Sequence, residues 1–196
     1  MHVRRFAVSA SQRSRVALGA VALFMAALVV SASPASAYAF ECGKFLGSSP
    51  TISYRYYSMT STYQTAFGQA QSAWDATSSP GYFDYEPDNG DPMVEVGDGS
   101  YSWGAWAQTS WQGCPTGLWA YNEVYIAFNT RTMGGLTSSQ KKLVAEHEAG
   151  HAYGLDHVSA TCSSSSKAVM SQGETKFSCS GTAPWADDVN GVNAKY

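Results

Sequence analysis

The chain has 196 residues with 12 basic and 15 acidic side chains, which gives a formal net charge of −3 at pH 7. Four of the basic residues lie within residues 1–37, so the other 159 residues carry 8 basic and 15 acidic side chains, a net charge of −7. An acidic chain without a basic cluster argues against nucleic acid or a membrane as a partner. The length suffices for one domain with a hydrophobic core.

Residues 1–37 have the organisation of a secretory signal peptide. Arginines precede an uninterrupted apolar run over residues 16–30, and small residues at 35–37 form an A-x-A cleavage site. The run is shorter than the roughly 20 residues that a transmembrane helix needs. We therefore expect cleavage before Tyr38 and secretion of residues 38–196 as one domain, with twin-arginine export left open by Arg4-Arg5.

Four cysteines, Cys42, Cys114, Cys162 and Cys179, lie in the predicted mature chain. An even number of cysteines in an exported chain predicts two disulfides, for which three pairings are possible. We favour Cys162–Cys179 as a local disulfide and Cys42–Cys114 as a long-range one. The absence of a C-x-x-C spacing argues against zinc binding by cysteine.

Residue patterns along the mature chain predict both strands and helices. β-branched and aromatic residues favour strands, whereas small and aromatic residues at 66, 70, 73 and 74 favour one face of a helix. In chain order, the predicted elements are a strand over 52–57, a helix over 62–76, short strands over 82–85 and 93–96, an edge strand over 105–109, a strand over 122–128, and helices over about 137–154 and 184–194.

The helix that begins after Thr137 has the clearest end signals. Thr137 and Gln140 form a predicted capping box at its start. Gly154 can adopt the left-handed conformation that ends many helices. The last helix is expected to begin near Pro184, which suits a first turn, and Asp187 and Asp188 complement its dipole.

All three histidines of the predicted mature chain lie in one motif, H-E-x-x-H-x-x-G-x-x-H. A helix places His147 and His151 about 40° apart around its axis and about 6 Å apart along it, so both imidazoles can converge on one ion. A turn at Gly154 can bring back His157 as a third ligand. Three protein ligands leave a fourth position open, which is typical of catalytic zinc.

Glu148 follows the first predicted ligand and projects beside it. It can therefore accept a proton from an attacking water and later deliver it to a leaving amine. These residues predict a zinc-dependent endopeptidase that acts on proteins or peptides, with one catalytic zinc ion, as a monomer. A zinc amidase acting on cell-wall peptides and a non-catalytic zinc-binding secreted protein are alternatives, although Glu148 is not needed merely to hold a metal.

The extended histidine motif resembles the metzincin signature, and residues 143–157 are most similar to the zinc helix of the matrixins. Met170 stands where that family has a methionine-containing turn beneath the metal, and residues 187–196 resemble the closing matrixin helix. The resemblance covers most of residues 50–196. It implies an α+β zincin-type domain in which a twisted mixed sheet and the zinc helix flank a substrate cleft.

The sequence also departs from related families. Gln172 stands two residues after Met170, where astacin-like and serralysin-like proteins have a tyrosine, so no tyrosine ligand is expected. Without a further histidine, the second, structural zinc of typical matrixins is not expected either. The resemblance places the specificity pocket between the zinc helix and residues 171–175.

Two further patterns carry weaker signals. Oxygen-bearing residues alternate over residues 84–91 as they do in calcium loops, but the spacing misses the calcium-loop pattern, and a solvated hairpin turn is favoured over a calcium site. Four tryptophans can line a substrate cleft along an edge strand or simply pack in the protein, and both interpretations stay open. These tryptophans are Trp103, Trp106, Trp111 and Trp119.

Overall fold

The structure is a computed structural model and describes residues 38–88, 90–163 and 167–196. The predicted signal peptide lies outside these residues. Within them, no helix combines the length and the apolar character that crossing a membrane requires. The elements are β1 (Ala39–Phe40), β2 (Thr51–Tyr56), α1 (Ser61–Asp75), β3 (Tyr82–Tyr85), β4 (Val94–Gly99), β5 (Ala107–Trp111), β6 (Val124–Asn129), α2 (Thr130–Met133), α3 (Ser138–Ala152), β7 (Leu155–Asp156), a 3₁₀ helix (Thr175–Ser178) and α4 (Ala186–Lys195).

Five strands form a mixed sheet in the order β3-β2-β4-β6-β5. β3, β2, β4 and β6 run parallel to one another. β5 closes one edge of the sheet by pairing antiparallel with β6. The short strands β1 and β7 pair separately. The α+β arrangement predicted from the sequence, with a mixed sheet, a histidine-bearing helix and a C-terminal helix, is therefore confirmed.

The segment between β3 and β4 is not the hairpin turn that the sequence favours. β3 and β4 do not pair with each other, because β2 lies between them and is parallel to both. Tyr54 marks the change of partner, since it lies opposite Tyr85 of β3 on one side and Val94 of β4 on the other. A crossover between parallel strands therefore joins β3 to β4.

One face of the sheet forms the core. Side chains alternate between the two faces of a strand, so every second residue points to the helices. On the opposite face, Arg55 and Glu95 form an ion pair between β2 and β4. The core face carries the buried residues Ile52, Tyr54, Phe83, Val94, Val96, Val124, Ile126 and Phe128.

Helix α1 packs its apolar stripe against this core and against α3. Its buried residues follow the helical period and are Tyr63, Ala66, Phe67, Ala70 and Trp74. The Trp74 indole Nε1–H donates to the carbonyl oxygen of Glu146 at 2.9 Å, so the polar atom of this buried ring is satisfied by α3. The contact fixes α1 beside the half of α3 that carries the histidines.

Helix α3 has the predicted ends. Its capping box is formed, because Thr137 Oγ1 accepts from Gln140 N–H at 3.2 Å and the Gln140 side chain accepts from Thr137 N–H at 2.8 Å. Gly154 follows the helix with φ +88°. Every residue from Val144 to Ala152 is buried, so this half of the helix has neighbours on all sides.

The two disulfides are the pairs that the sequence analysis favours. Cys42–Cys114 spans 72 residues and ties the N-terminal segment to the loop after β5, whereas Cys162–Cys179 spans 17 residues. A disulfide stabilises mainly by lowering the entropy of the unfolded chain, and a longer loop gives the larger effect.

Replacing Cys42 and Cys114 by serine should therefore lower the free energy of unfolding by about 4 kcal/mol, and replacing Cys162 and Cys179 by about 3 kcal/mol. Urea unfolding of the two double variants, each loaded with the same metal, measures the difference. A larger loss from the short loop than from the long one would contradict the entropic account.

Candidate metal centre

Three imidazole nitrogens meet at the end of α3. The Nε2 atoms of His147 and His151 lie 3.2 Å apart, and each lies 3.1 Å from Nε2 of His157. Nitrogen atoms at these distances face a common point rather than separate partners. Within the described part of the chain, these three side chains are the group whose arrangement can hold a metal ion.

The other ring nitrogen of each histidine has its own partner. Nδ1 of His147 lies 2.7 Å from the carbonyl oxygen of Val169, and Nδ1 of His151 lies 2.7 Å from that of Leu155. A carbonyl oxygen accepts only, so both rings carry their proton on Nδ1 and present an Nε2 lone pair. Such outer contacts fix the orientation of metal-binding histidines.

His157 is supported by a side chain instead of a carbonyl group. Its Nδ1 lies 2.9 Å from Nε2, the nitrogen atom, of the Gln172 side-chain amide, two residues after Met170. An amide can donate through its nitrogen or, after rotation, accept through its oxygen. With the oxygen turned to the ring, the amide stabilises the same Nδ1–H tautomer as in the other two histidines.

The donor set fits zinc. A tetrahedral zinc ion with Zn–N distances of 2.0–2.1 Å separates its nitrogen ligands by about 3.3 Å, close to the distances between these Nε2 atoms. Three neutral imidazoles suit zinc, and all three line the cleft described below. His147, His151 and His157 are thus brought together as the sequence predicts.

Burial and neighbouring charges act on the rings in opposite directions. Burial lowers the pKa of His147 well below its usual value, and the nearby His151 ring adds to this. Burial also lowers the pKa of His151, but Glu41, whose Oε1 lies 3.4 Å from Nδ1, and Glu148 raise it overall. Glu41 comes from the N-terminal segment, which the sequence analysis did not connect with the site.

Gly154 allows the reversal that brings His157 back. Its φ of +88° is a conformation that L side chains rarely adopt. A Cβ atom there would lie 2.7 Å from the Gly43 carbonyl oxygen and 2.8 Å from Lys195 Cε. β7 follows directly and pairs with β1, which places His157 opposite the end of α3.

Met170 lies against the helix between the two histidines that α3 carries. It belongs to a turn closed by a 3.3 Å hydrogen bond from Ser171 N–H to the Ala168 carbonyl oxygen. A Cβ atom on Gly150 would stand 2.3 Å from Met170 Sδ, so this close approach requires glycine. That Met170 lies beneath a bound metal ion stays a prediction.

Asp188 of α4 holds the Met170 turn from behind. Its carboxylate accepts from Val169 N–H at 2.9 Å, from Met170 N–H at 3.3 Å and from Trp185 N–H at 2.9 Å. Burial raises the pKa of Asp188 to about 6 against the opposing effect of these three donors. The carboxylate is thereby linked to the metal centre, since the Val169 carbonyl group contacts His147.

Glu148 is buried beside the histidines and contacts the edge strand. Thr109 Oγ1–H of β5 donates to Glu148 Oε2 at 2.7 Å. Burial raises the pKa of Glu148, whereas His151 and the Thr109 hydrogen bond lower it. The carboxyl group therefore has one fixed partner and stands next to the proposed metal ligands without being one of them.

A cleft of about 550 Å³ opens over the histidines. One wall is the edge strand β5 with the residues before it, and the other wall is formed by α3 and residues 172–176. Among the four tryptophans singled out in the sequence, Trp106 lines the cleft, whereas Trp119 is buried between Phe45 and Trp111. The packing interpretation is thus confirmed for Trp119, and the substrate-cleft interpretation stays a prediction for Trp106.

The structure adds residues that the sequence pattern did not single out. Thr109, Lys176 and Glu41 line the cleft. Each lies far along the chain from the histidine motif or in a weakly patterned segment, so no spacing rule identifies it. The acidic segment over 84–91 lies elsewhere, and Asp91 Oδ1 accepts from Asn122 Nδ2 at 2.7 Å. The expectation that this segment is not a calcium site stays a prediction.

Comparison with known proteins yields distant structural similarities. One structure of myroilysin superposes with a TM-score of 0.43 at 18% sequence identity, covering 61% of this chain and 54% of that chain. A second myroilysin structure gives a TM-score of 0.40 at 16% identity, covering 66% of this chain and 54% of that chain. The chain thus spans about half the length of these proteins. No protein-family model and no curated protein sequence matches it.

Replacing Asp188 by asparagine should loosen the Met170 turn. An asparagine offers one acceptor oxygen where the carboxylate has two, so at least one buried N–H loses its partner. We expect a loss of about 1–3 kcal/mol in the free energy of unfolding and a roughly ten-fold weaker affinity for zinc.

Urea unfolding and chelator competition measure the two effects of Asp188→Asn. Asn190→Asp, which exchanges the same two residue types at an exposed position of α4, is the matched control. Unchanged zinc affinity in Asp188→Asn would show that the Met170 turn does not orient His147.

Proposed function

We propose that this chain is a secreted zinc-dependent metalloendopeptidase of the metzincin type, most similar to the matrixins, with residues 38–196 as its catalytic domain. The observation that carries the proposal is the convergence of three histidine Nε2 atoms next to a buried glutamate at the base of an open cleft. The N-terminal sequence pattern and the two disulfides support secretion.

His147, His151 and His157 would hold the ion through Nε2. Zinc, when bound, lowers the pKa of a coordinated water toward 7 and polarises the carbonyl group to be attacked. The chain supplies neutral imidazoles in a fixed tautomer for this purpose. The Val169 and Leu155 carbonyl groups set that tautomer at two of the three ligands.

Glu148 is the proposed general base. Its carboxylate accepts a proton as water attacks the peptide carbonyl carbon and then delivers that proton to the leaving amine. Burial, which raises the pKa of Glu148, favours this second role because it makes the protonated form accessible. The Thr109 hydrogen bond engages Oε2 and leaves Oε1 for the proton transfer.

The edge strand β5 supplies a surface for an extended substrate. Among the described strands, β5 pairs with β6 alone, so the backbone groups of its outer edge face the cleft. A peptide can pair with such an edge through main-chain hydrogen bonds, which are independent of its sequence. This arrangement supports an endopeptidase, because a long chain bound in the open cleft can extend beyond the site on both sides.

Glu148→Ala should lower hydrolysis of a generic unfolded protein by roughly 10²–10⁴-fold, the contribution of a general base, while zinc content stays near one ion per chain. Glu146→Gln is the matched control, because it removes a carboxylate two residues away on α3 that does not line the cleft. Equal activity of wild type and Glu148→Ala would contradict the assignment. A zinc-loaded wild type that cleaves no protein would favour the amidase or the binding protein.

Thr109→Val should lower kcat by about ten-fold, because a charge-assisted hydrogen bond to Glu148 is lost while the shape of the side chain is kept. Thr109→Ser retains the hydroxyl group and should restore kcat. Ser110→Ala, at the exposed next position of β5, is the control. A fall of kcat in the serine variant equal to that in the valine variant would assign the effect to packing.

A further inference from the structure

A buried lysine stands in the wall of the cleft. Lys176 lies in the 3₁₀ helix Thr175–Ser178, and only 2% of its surface is exposed. It lines the cleft together with Val144 and His147 of α3 and with Gln172 and Gly173 of the preceding loop. Lysine is one of the residues least often buried unless it is paired, so its position calls for a physical reason.

The lysine ammonium group is only partly satisfied by the protein. Its Nζ donates to the Gly173 carbonyl oxygen at 3.0 Å and lies 6.0 Å from the centre of the Trp106 ring. An ammonium group has three N–H donors. Among the residues that the structure describes, Lys176 has no other hydrogen-bond acceptor and forms no ion pair.

Nearby acids account for this placement only in part. Glu148 and Asp188 are the carboxylates that act on Lys176, but neither forms an ion pair with it. Glu148 is hydrogen-bonded to Thr109, and the Asp188 carboxylate is engaged by three backbone N–H groups. An apolar side chain at position 176 would avoid the cost of burying a charge.

The surroundings of the ammonium group strengthen its attraction for an anion. The Trp106 ring packs on Phe177 with a centroid distance of 4.8 Å, and Val144 of α3 also lines the cleft. Apolar walls lower the local dielectric constant, so an ion pair formed between them is screened less than one at the surface. A side chain that enters the pocket meets apolar walls and then a cation with donors to spare.

We propose that Lys176 makes the pocket beside the metal centre an acceptor for carboxylate, so that the enzyme prefers peptide bonds flanked by an aspartate or glutamate residue. This inference rests on the proposed peptidase function and adds the substrate class. Lys176 acts as a specificity-determining residue, and it takes no part in transferring protons.

The test compares two peptides that differ by one group, a glutamate in one and a glutamine in the other, next to the same scissile bond. One such pair carries the exchange at the position just before the bond, and a second pair carries it at the position just after the bond. For one position we expect kcat/KM to be at least ten-fold higher for the glutamate peptide. Lys176→Met should bring this ratio close to one, whereas Lys176→Arg should keep it well above one.

The pH dependence of the same ratio gives a readout on the unmodified protein. Burial lowers the pKa of Lys176 to about 8, against the raising effect of Glu148 and Asp188. The cation is therefore present below about pH 8 and is lost above it, so the preference for glutamate should decline as the pH rises through this range. Titration of Glu148, Asp188 and the three histidines affects both peptides alike and largely cancels in the ratio.

The possible outcomes separate the inference from the proposed function. Cleavage of both peptides at equal rates at both positions and at every pH would overturn the role of Lys176 and leave the peptidase function intact. Cleavage of neither peptide would contradict the peptidase function. In that case the affinities of the two peptides for the zinc-loaded chain test the carboxylate pocket, and equal affinities would overturn it as well. If Lys176→Met does not fold, the wild-type pH series supplies the same decision.

Discussion

The arrangement of the site depends on one requirement, that each imidazole Nδ1 atom has a hydrogen-bond partner while the three Nε2 atoms converge. Two of these partners are backbone carbonyl groups, of Leu155 and Val169, in the chain that follows α3. The third partner is the Gln172 amide in the same region. The positions of Leu155, Val169 and Gln172 are therefore set by the histidines as much as the histidines are set by α3. A buried polar group without a partner would cost free energy, so the two parts support each other.

The C-terminal helix enters the same network through the turn that contains Val169 and Met170. Asp188 accepts backbone N–H groups of Val169 and Met170, and the Val169 carbonyl group contacts His147. A peptide group that is polarised on its N–H side becomes a better acceptor on its carbonyl side. α4 thus acts on the basicity of His147 through one peptide unit, and Gly150 lets the Met170 side chain approach close enough for this geometry.

The parts of the structure that follow local rules could be predicted from the sequence. The capping box at Thr137, the stop at Gly154 and the i, i+4 spacing of two histidines are properties of short segments, and the structure has all three. The crossover between β3 and β4 was missed because an Asn-Gly turn signal is local, whereas the pairing partner of a strand is set by the whole sheet. Thr109 and Lys176 were missed for the same reason, since a single polar residue in a weakly patterned segment shows its role only after folding.

The two walls of the cleft differ in what they can recognise. β5 offers backbone groups at its edge, which bind an extended chain whatever its side chains, so this wall favours general endopeptidase activity. The opposite wall offers the Lys176 ammonium group between apolar surfaces, and its interaction with a substrate depends on side-chain charge. Glu148 lies between the walls and is held by Thr109 of the first one. Under the proposed function, binding through β5 would align a substrate with the proposed base, and selection among substrates would be left to a wall that does not position the base.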